Sequence, residues 1–332
     1  MAEGGRASRT IEEQLVKHLA DAHSIEEQAL TQLRRAPELA GDPKLAAAFE
    51  EHLGETERHE RLVRSRLEAH DAAPSTIKDI AGKAGGMGMI AFAQVSPDTP
   101  GKLTDHAFSY EHMELAAYEL LARVADRAGD AETAETGREI AAEERRMADR
   151  LADGFDAAVA ASLRDQDPDQ LGPQLDGYLA DAHAIEQQAI SLLEGGQKVA
   201  DEAGMAALFE EHLAETRGHE RRVLDRLEAR GSRPSAVKDL GMRLGGLNVG
   251  AFFAAQPDTP VKLSGFAYAF EHLEVGGYEL LRRVAERAGD ADSAQLATTI
   301  AAEERAMAER IAARWDEVVD ASLEAVGAAP GG

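Results

Sequence analysis

The residues with the greatest chemical potential are glutamates and histidines placed where apolar side chains are expected. In "YEHMELAAYELL" (110–121), Leu103, Ala107, Tyr110, Ala117, Leu121 and Ala125 share one helical face, and Glu114 lies near its middle. Glu111 stands about 60° to one side on the same helical wheel. Glu26 falls inside the stripe Ile11, Leu15, Leu19, Ala22, Ala29 and Leu33. His52 and His59 fall in the stripe Leu45, Phe49, Val63 and Leu67, with Glu55 at its edge, and Glu144 is surrounded by Ile140, Met147, Leu151 and Phe155. A carboxylate in a packed core is costly unless something compensates it. Four helices that each direct one at a common axis would repel each other. An arginine such as Arg66, Arg123 or Arg145 could neutralise a single position. Two divalent cations would resolve the conflict at all of them, and carboxylate and imidazole ligands suit iron, manganese or zinc.

The elements that must position these groups are written twice. "LADAHSIEEQAL" (19–30) returns as "LADAHAIEQQAI" (179–190), and "IAAEERRMADR" (140–150) as "IAAEERAMAER" (300–310). The displacement is 160 residues throughout, so Glu26, His52, Glu55, His59, Glu111, Glu114 and Glu144 recur as Glu186, His212, Glu215, His219, Glu271, Glu274 and Glu304. That period is far too long for a solenoid unit and marks a duplicated domain. The expected boundaries are 8–163 for the first copy, 164–174 ("RDQDPDQLGPQ") for a linker, and 175–324 for the second copy. Within the first copy the pattern predicts helices over about 10–36, 42–70, 101–128 and 131–162, with a glycine-broken crossover at 73–100 holding two short helices. The expected fold is all-α: two tandem ferritin-like four-helix bundles, each with short extra helices between its second and third helices.

The motifs "LADAHSIEEQAL", "HLGETERHERL", "EHMELAAYELL" and the "EE" of the last helix resemble the YciE/YciF family of ferritin-like proteins, nearly end to end in each copy. The resemblance implies a rubrerythrin-like bundle, a di-metal centre, stress-associated expression and frequent dimerisation. Carried over by position, the implied ligands are Glu26, Glu55, His59, Glu111, Glu114 and Glu144, with Glu186, Glu215, His219, Glu271, Glu274 and Glu304 in the second copy. Two features depart from the wider di-iron pattern, which uses Glu-x-x-His on two helices. Glu55 and His59 are spaced by four rather than three, which leaves His52 (and His212) as alternative ligands, and the fourth helix offers Met147 or Ala148 where a histidine would serve.

Composition narrows the function further. With 61 acidic against 36 basic residues the net charge is −25, which disfavours nucleic acid and anionic membranes and attracts cations. The absence of cysteine excludes disulfides, iron–sulfur clusters and rubredoxin-type iron. No signal-peptide core or run of 18 apolar residues is visible, so a soluble, cytoplasmic protein is expected. His112 lies opposite Glu114, beside Phe108 and Leu115, and its equivalents are His272, Tyr268 and Val275. This second apolar face predicts that the copies pack on each other as a covalent pseudo-dimer. The expected function is therefore metal binding, two divalent ions per repeat with iron first, in iron handling or peroxide protection, electrons coming from an external reductant. The alternative is a non-catalytic, stress-associated helical scaffold without metal.

Overall fold

The computed structural model describes residues 11–75, 99–164, 167, 170–196, 205–234 and 259–328. Among them are ten helices and no strand: α1 Ile11–Leu33, α2 Ala36–Leu39, α3 Pro43–Ala69, α4 Thr99–Ala128, α5 Ala131–Ser162, α6 Leu171–Gly196, α7 Met205–Ala229, α8 Thr259–Arg287, α9 Ala291–Ala312 and α10 Trp315–Ala325. The chain is all-α as expected. The short helices expected in the two crossovers fall on 76–98 and 235–258, outside the described residues. In the first bundle α1 packs on α3 and α4, and α5 on α3 and α4. In the second, α6 packs on α7 and α8, and α9 on α7 and α8.

Local chemistry sets the helix ends. Asp42 caps α3 by accepting from the amides of Lys44 and Leu45, with Pro43 in the first turn where its missing N–H is harmless. The α4–α5 corner turns at Gly129 (φ +74°), which takes the left-handed conformation that closes a helix, and Asp130 then caps α5 through the Thr133 amide. Gly289 and Asp290 repeat this corner between α8 and α9. One difference separates the copies. The fourth helix is continuous in the first repeat but breaks at residues 313–314 in the second, giving α9 and α10. At Gly154 of α5 an added Cβ would come within 2.5 Å of Leu45 Cδ2. The equivalent residue is Arg314, which lies at the break.

The helices of the two halves contact each other along α4 and α8. Gly101, at the start of α4, lies against Leu280 near the end of α8, so the two run antiparallel. The contacts are reciprocal. Lys102 pairs with Asp181 at 2.6 Å and its equivalent Lys262 with Asp21 at 3.3 Å. Arg123 lies over the Trp315 ring and Arg283 over the Phe155 ring. At the centre the imidazoles of His112 and His272 stack at 3.5 Å. Reciprocity of this kind is the signature of an isologous, two-fold interface, here formed within one chain. The apolar core follows the same plan. Leu15, Leu67 and Ile140 of the first repeat share a cluster with Phe209, Ile311 and Trp315 of the second, while Phe49, Leu151 and Phe155 share another with Val223, Leu281 and Ile300. Between these two ends of each bundle lies a polar layer.

Candidate metal centre

In the first repeat that layer consists of Glu26 from α1, His52 and His59 from α3, Glu111 and Glu114 from α4, and Glu144 from α5, all buried. The histidines are seven residues apart, two turns along one face of α3, with ring centres 6.4 Å apart. Glu144 lies between them. Its Oε1 is 2.8 Å from His59 Nδ1 and its Oε2 is 3.3 Å from His52 Nε2. Glu111 Oε2 lies 3.0 Å from the same His52 nitrogen, and Glu26 Oε1 3.8 Å from His59 Nδ1.

Several of these close approaches lack hydrogen-bond geometry. Among the described residues His52 Nε2, His59 Nδ1, Glu111 Oε2, Glu26 Oε2 and both oxygens of Glu114 and Glu144 are buried with no hydrogen-bond partner. Donor atoms crowded together in this way could serve as ligands to a common ion. Two such groups can each hold an ion: His52, Glu111, Glu114 and Glu144, and Glu26, His59 and Glu144. Glu144 belongs to both, with one oxygen toward each histidine. The second repeat reproduces the pair as His212, Glu271, Glu274 and Glu304, and Glu186, His219 and Glu304. Each layer thus carries four carboxylates, whose full ionisation matches the charge of two divalent cations. The arginines that could have neutralised Glu114 or Glu144 are engaged elsewhere: Arg66 on Asp130 and Glu132, Arg123 on Glu119 and Asp316, Arg145 on Glu119.

A family described as a domain of unknown function, DUF892, matches this chain twice, over residues 10–164 and 174–324. The chain belongs to the DUF892 family. Its two DUF892 domains carry the same buried His/Glu layer, residue for residue.

The layer differs from the expected ligand set at one position per domain. Glu55 and Glu215 belong to neither group of donors. Glu55 Oε2 instead lies 3.0 Å from His52 Nδ1, and Glu215 Oε2 3.2 Å from His212 Nδ1. The side chain of Glu55 is 30% exposed, so it reaches His52 from the outer side. The alternative histidines His52 and His212 occupy the layer together with His59 and His219. Carboxylates that orient the far nitrogen of a ligating imidazole are a recurrent second layer in metal sites.

Sequence reasoning missed the matching partner of the other histidine. Glu143 lies about 100° from Glu144 on the helical wheel and reads as an outward residue. Yet its Oε2 is 2.7 Å from His59 Nε2, and Glu303 is 3.0 Å from His219 Nε2. Arg58 binds Glu143 in the first domain. In the second, Gly218 replaces Arg58 and Arg222, in place of Leu62, binds Glu303. That compensating exchange was the available signal. Tyr118 and Tyr278 donate their hydroxyls to Glu26 and Glu186. His23 pairs with Glu60 at 2.9 Å in a further donor group with Glu27, but Arg64 holds the same Glu60 and Gln187 replaces Glu27 in the second domain.

The electrostatics follow from burial. Desolvation, reinforced by Glu144, Glu26 and Glu111, raises Glu114 well above the usual carboxylate range. Burial and the neighbouring Glu144 charge push Glu26 up to about 8, and burial takes Glu111 to about 7. Burial also opposes ionisation of Glu144, but the imidazoles of His52 and His59 outweigh it and hold this carboxyl down at about 2. His59 rises to about 9 because Glu144 and Glu26 outweigh its desolvation. The second domain repeats the pattern, with Glu274 and Glu186 raised, Glu271 at about 7 and Glu304 lowered.

Proposed function

We propose that each DUF892 domain is a ferritin-like bundle of the YciE/YciF type that holds two divalent cations, iron first, and that the protein serves in iron handling or protection against peroxide. The observation that carries this reading is the set of buried donor atoms without a hydrogen-bond partner around Glu114 and Glu144, repeated around Glu274 and Glu304. In this reading His52, Glu111 and Glu114 would hold one ion and Glu26 and His59 the other, with Glu144 available to both. A mixed oxygen and nitrogen donor set favours iron, manganese or zinc over calcium or magnesium.

Bound iron would supply one-electron exchange with peroxide or dioxygen. The chain's own residues do the rest. Glu55 and Glu143 accept hydrogen bonds from the outer nitrogens of His52 and His59 and so fix which nitrogen faces inward. Because Glu143 is partly exposed, it also links the layer to solvent for proton transfer. The Tyr118 hydroxyl orients Glu26. Return of electrons requires an external reductant, since a chain without cysteine carries no rubredoxin-type centre of its own.

Metal stoichiometry after anaerobic Fe(II) loading and desalting tests the reading. About four ions per chain are expected, two per domain, given the two donor groups in each. A Glu114→Ala/Glu274→Ala variant should retain far fewer. If wild type and variant both retain none, the layer has other partners and the protein is a helical scaffold.

A further inference from the structure

The two metal layers are alike, but their surroundings are not. In the second repeat a partly enclosed pocket between α6, α7 and α8 ends at Glu271. Leu192, Gly196, Phe209, Phe266 and Phe270 form much of its lining, and Glu271 is its one ionisable group among the described residues. At the same register the first repeat has Gln32, Ala36, Phe49, His106, Tyr110 and Glu111. The layer residue and one phenylalanine are kept. The other four positions change together, and in the second repeat each is either less polar or smaller.

At each of these four positions the first-repeat residue is more polar or larger. Tyr110 spends its hydroxyl on the Ile25 carbonyl at 2.9 Å, tying α4 to α1. Phe270 has no hydroxyl, so the second repeat lacks that tie. Ala36 is buried, whereas at Gly196 an added methyl would stand 3.3 Å from the Phe209 ring. Gln32 places a buried amide where Leu192 presents a hydrocarbon. The pocket measures about 30 Å³. One water occupies roughly 10–15 Å³ by the same measure, so the space suits a body two or three times that size. An apolar wall gives water too few partners and favours an uncharged apolar occupant.

We propose that the second repeat, and not the first, binds a small uncharged apolar molecule of two or three heavy atoms, of the dioxygen class, beside Glu271. Its use as a co-substrate of the metal layer rests on the di-metal reading, whereas the binding does not. The pocket therefore makes the repeats unequal: both keep the metal layer, and one has an apolar approach to it.

Xenon, an apolar probe of suitable size, tests this on the full-length, chelator-treated protein by methyl NMR. Xenon should shift the methyl signals of Leu192, Leu193 and Leu263, which line the pocket, and leave unmoved those of Leu33 and Leu103, the first-repeat equivalents of Leu193 and Leu263. Leu192→Gln/Phe270→Tyr, which restores two first-repeat residues, should lower occupancy about tenfold. Gly196→Ala, a single methyl that spares the fold if the double variant does not, should lower it in the same direction. Absence of shifts in the second repeat, equal shifts in both repeats, or shifts untouched by Gly196→Ala would overturn the proposal. Because the experiment is run without metal, its failure is separable from failure of iron binding, which the stoichiometry measurement reads.

Discussion

At the scale of single residues, the polar layer explains a pH dependence that the metal-free protein should show. Glu26 and Glu111 ionise in the unfolded chain near the ordinary carboxylate value of 4.5, but in the fold only at about 8 and about 7. His59 loses its proton at 6.5 when unfolded and at about 9 when folded. In each case the folded state binds the extra proton, so the stabilisation is complete below the unfolded value and is lost as pH rises through the folded one. Glu144 has the opposite sign, but its effect falls below 4.5, toward about 2. Thermal melts of chelated protein should therefore show the melting temperature declining between pH 5 and 9. Loaded protein should decline much less, because cations replace the protons. An unchanged slope on loading would contradict the layer as the binding site. A second expectation concerns Glu143. Glu143→Gln/Glu303→Gln keeps the size of each side chain but removes the charge facing His59 and His219, and should weaken metal affinity about tenfold or more in competition titrations. Equal affinity would make these contacts incidental.

At the scale of elements, the corners matter because they set helix phase. A helix rotated by one residue turns Glu114 or Glu144 about 100° from the axis. Asp130 is one such constraint. It caps α5 through the Thr133 amide and also binds Arg66 of α3 at 3.1 Å and His70 at 2.8 Å. Among the described residues, the Asp42 side chain caps α3 through two local amides only. Asp42→Ala should cost about 1 kcal/mol and Asp130→Ala about 2 kcal/mol or more in chemical denaturation. Equal losses would mean that the tertiary contacts of Asp130 contribute nothing. The break between α9 and α10 belongs to this scale too: it falls at Arg314, where the continuous helix of the first repeat has Gly154.

At the scale of the whole molecule, the two-fold interface is reciprocal in its ion pairs and ring contacts but not in its packing. A Cβ at Gly276 of α8 would overlap the Asp105 carboxylate of α4. On the opposite side of the axis the equivalents are Gly265 and Ala116, which meet with ordinary van der Waals room. A bulky residue thus faces a glycine at one contact and a small residue faces a glycine at its equivalent, so each half complements the other better than it would a copy of itself. Gly276→Ala should destabilise the chain by about 1–3 kcal/mol in thermal or chemical unfolding, and Asp105→Ala added to it should recover much of the loss. If the double variant is no better than the single, the two residues are not coupled. Among the described residues no helix is long and apolar enough to cross a membrane.

The helices, the duplication and the inward glutamates were legible in the sequence because each depends on local periodicity. A carboxylate every few turns on an apolar stripe can be recognised without knowing what faces it. Glu26, Glu111, Glu114 and Glu144 were therefore found, each with its copy, as was the second apolar face bearing His112. Partner choice was not legible, because it depends on how neighbouring helices are rotated and offset. Glu55 shares the face of His59, yet helix packing turns it to the outer nitrogen of His52, and Glu143 reads as a surface residue until α5 lies beside α3. The sharing of Glu144 between two histidines, the interlocking of Asp105 with Gly276 and the apolar pocket beside Glu271 likewise exist only where separate helices meet. Side-chain type and spacing act along one helix; the contacts that distinguish a ligand from its support act between helices, at distances that only the folded chain defines.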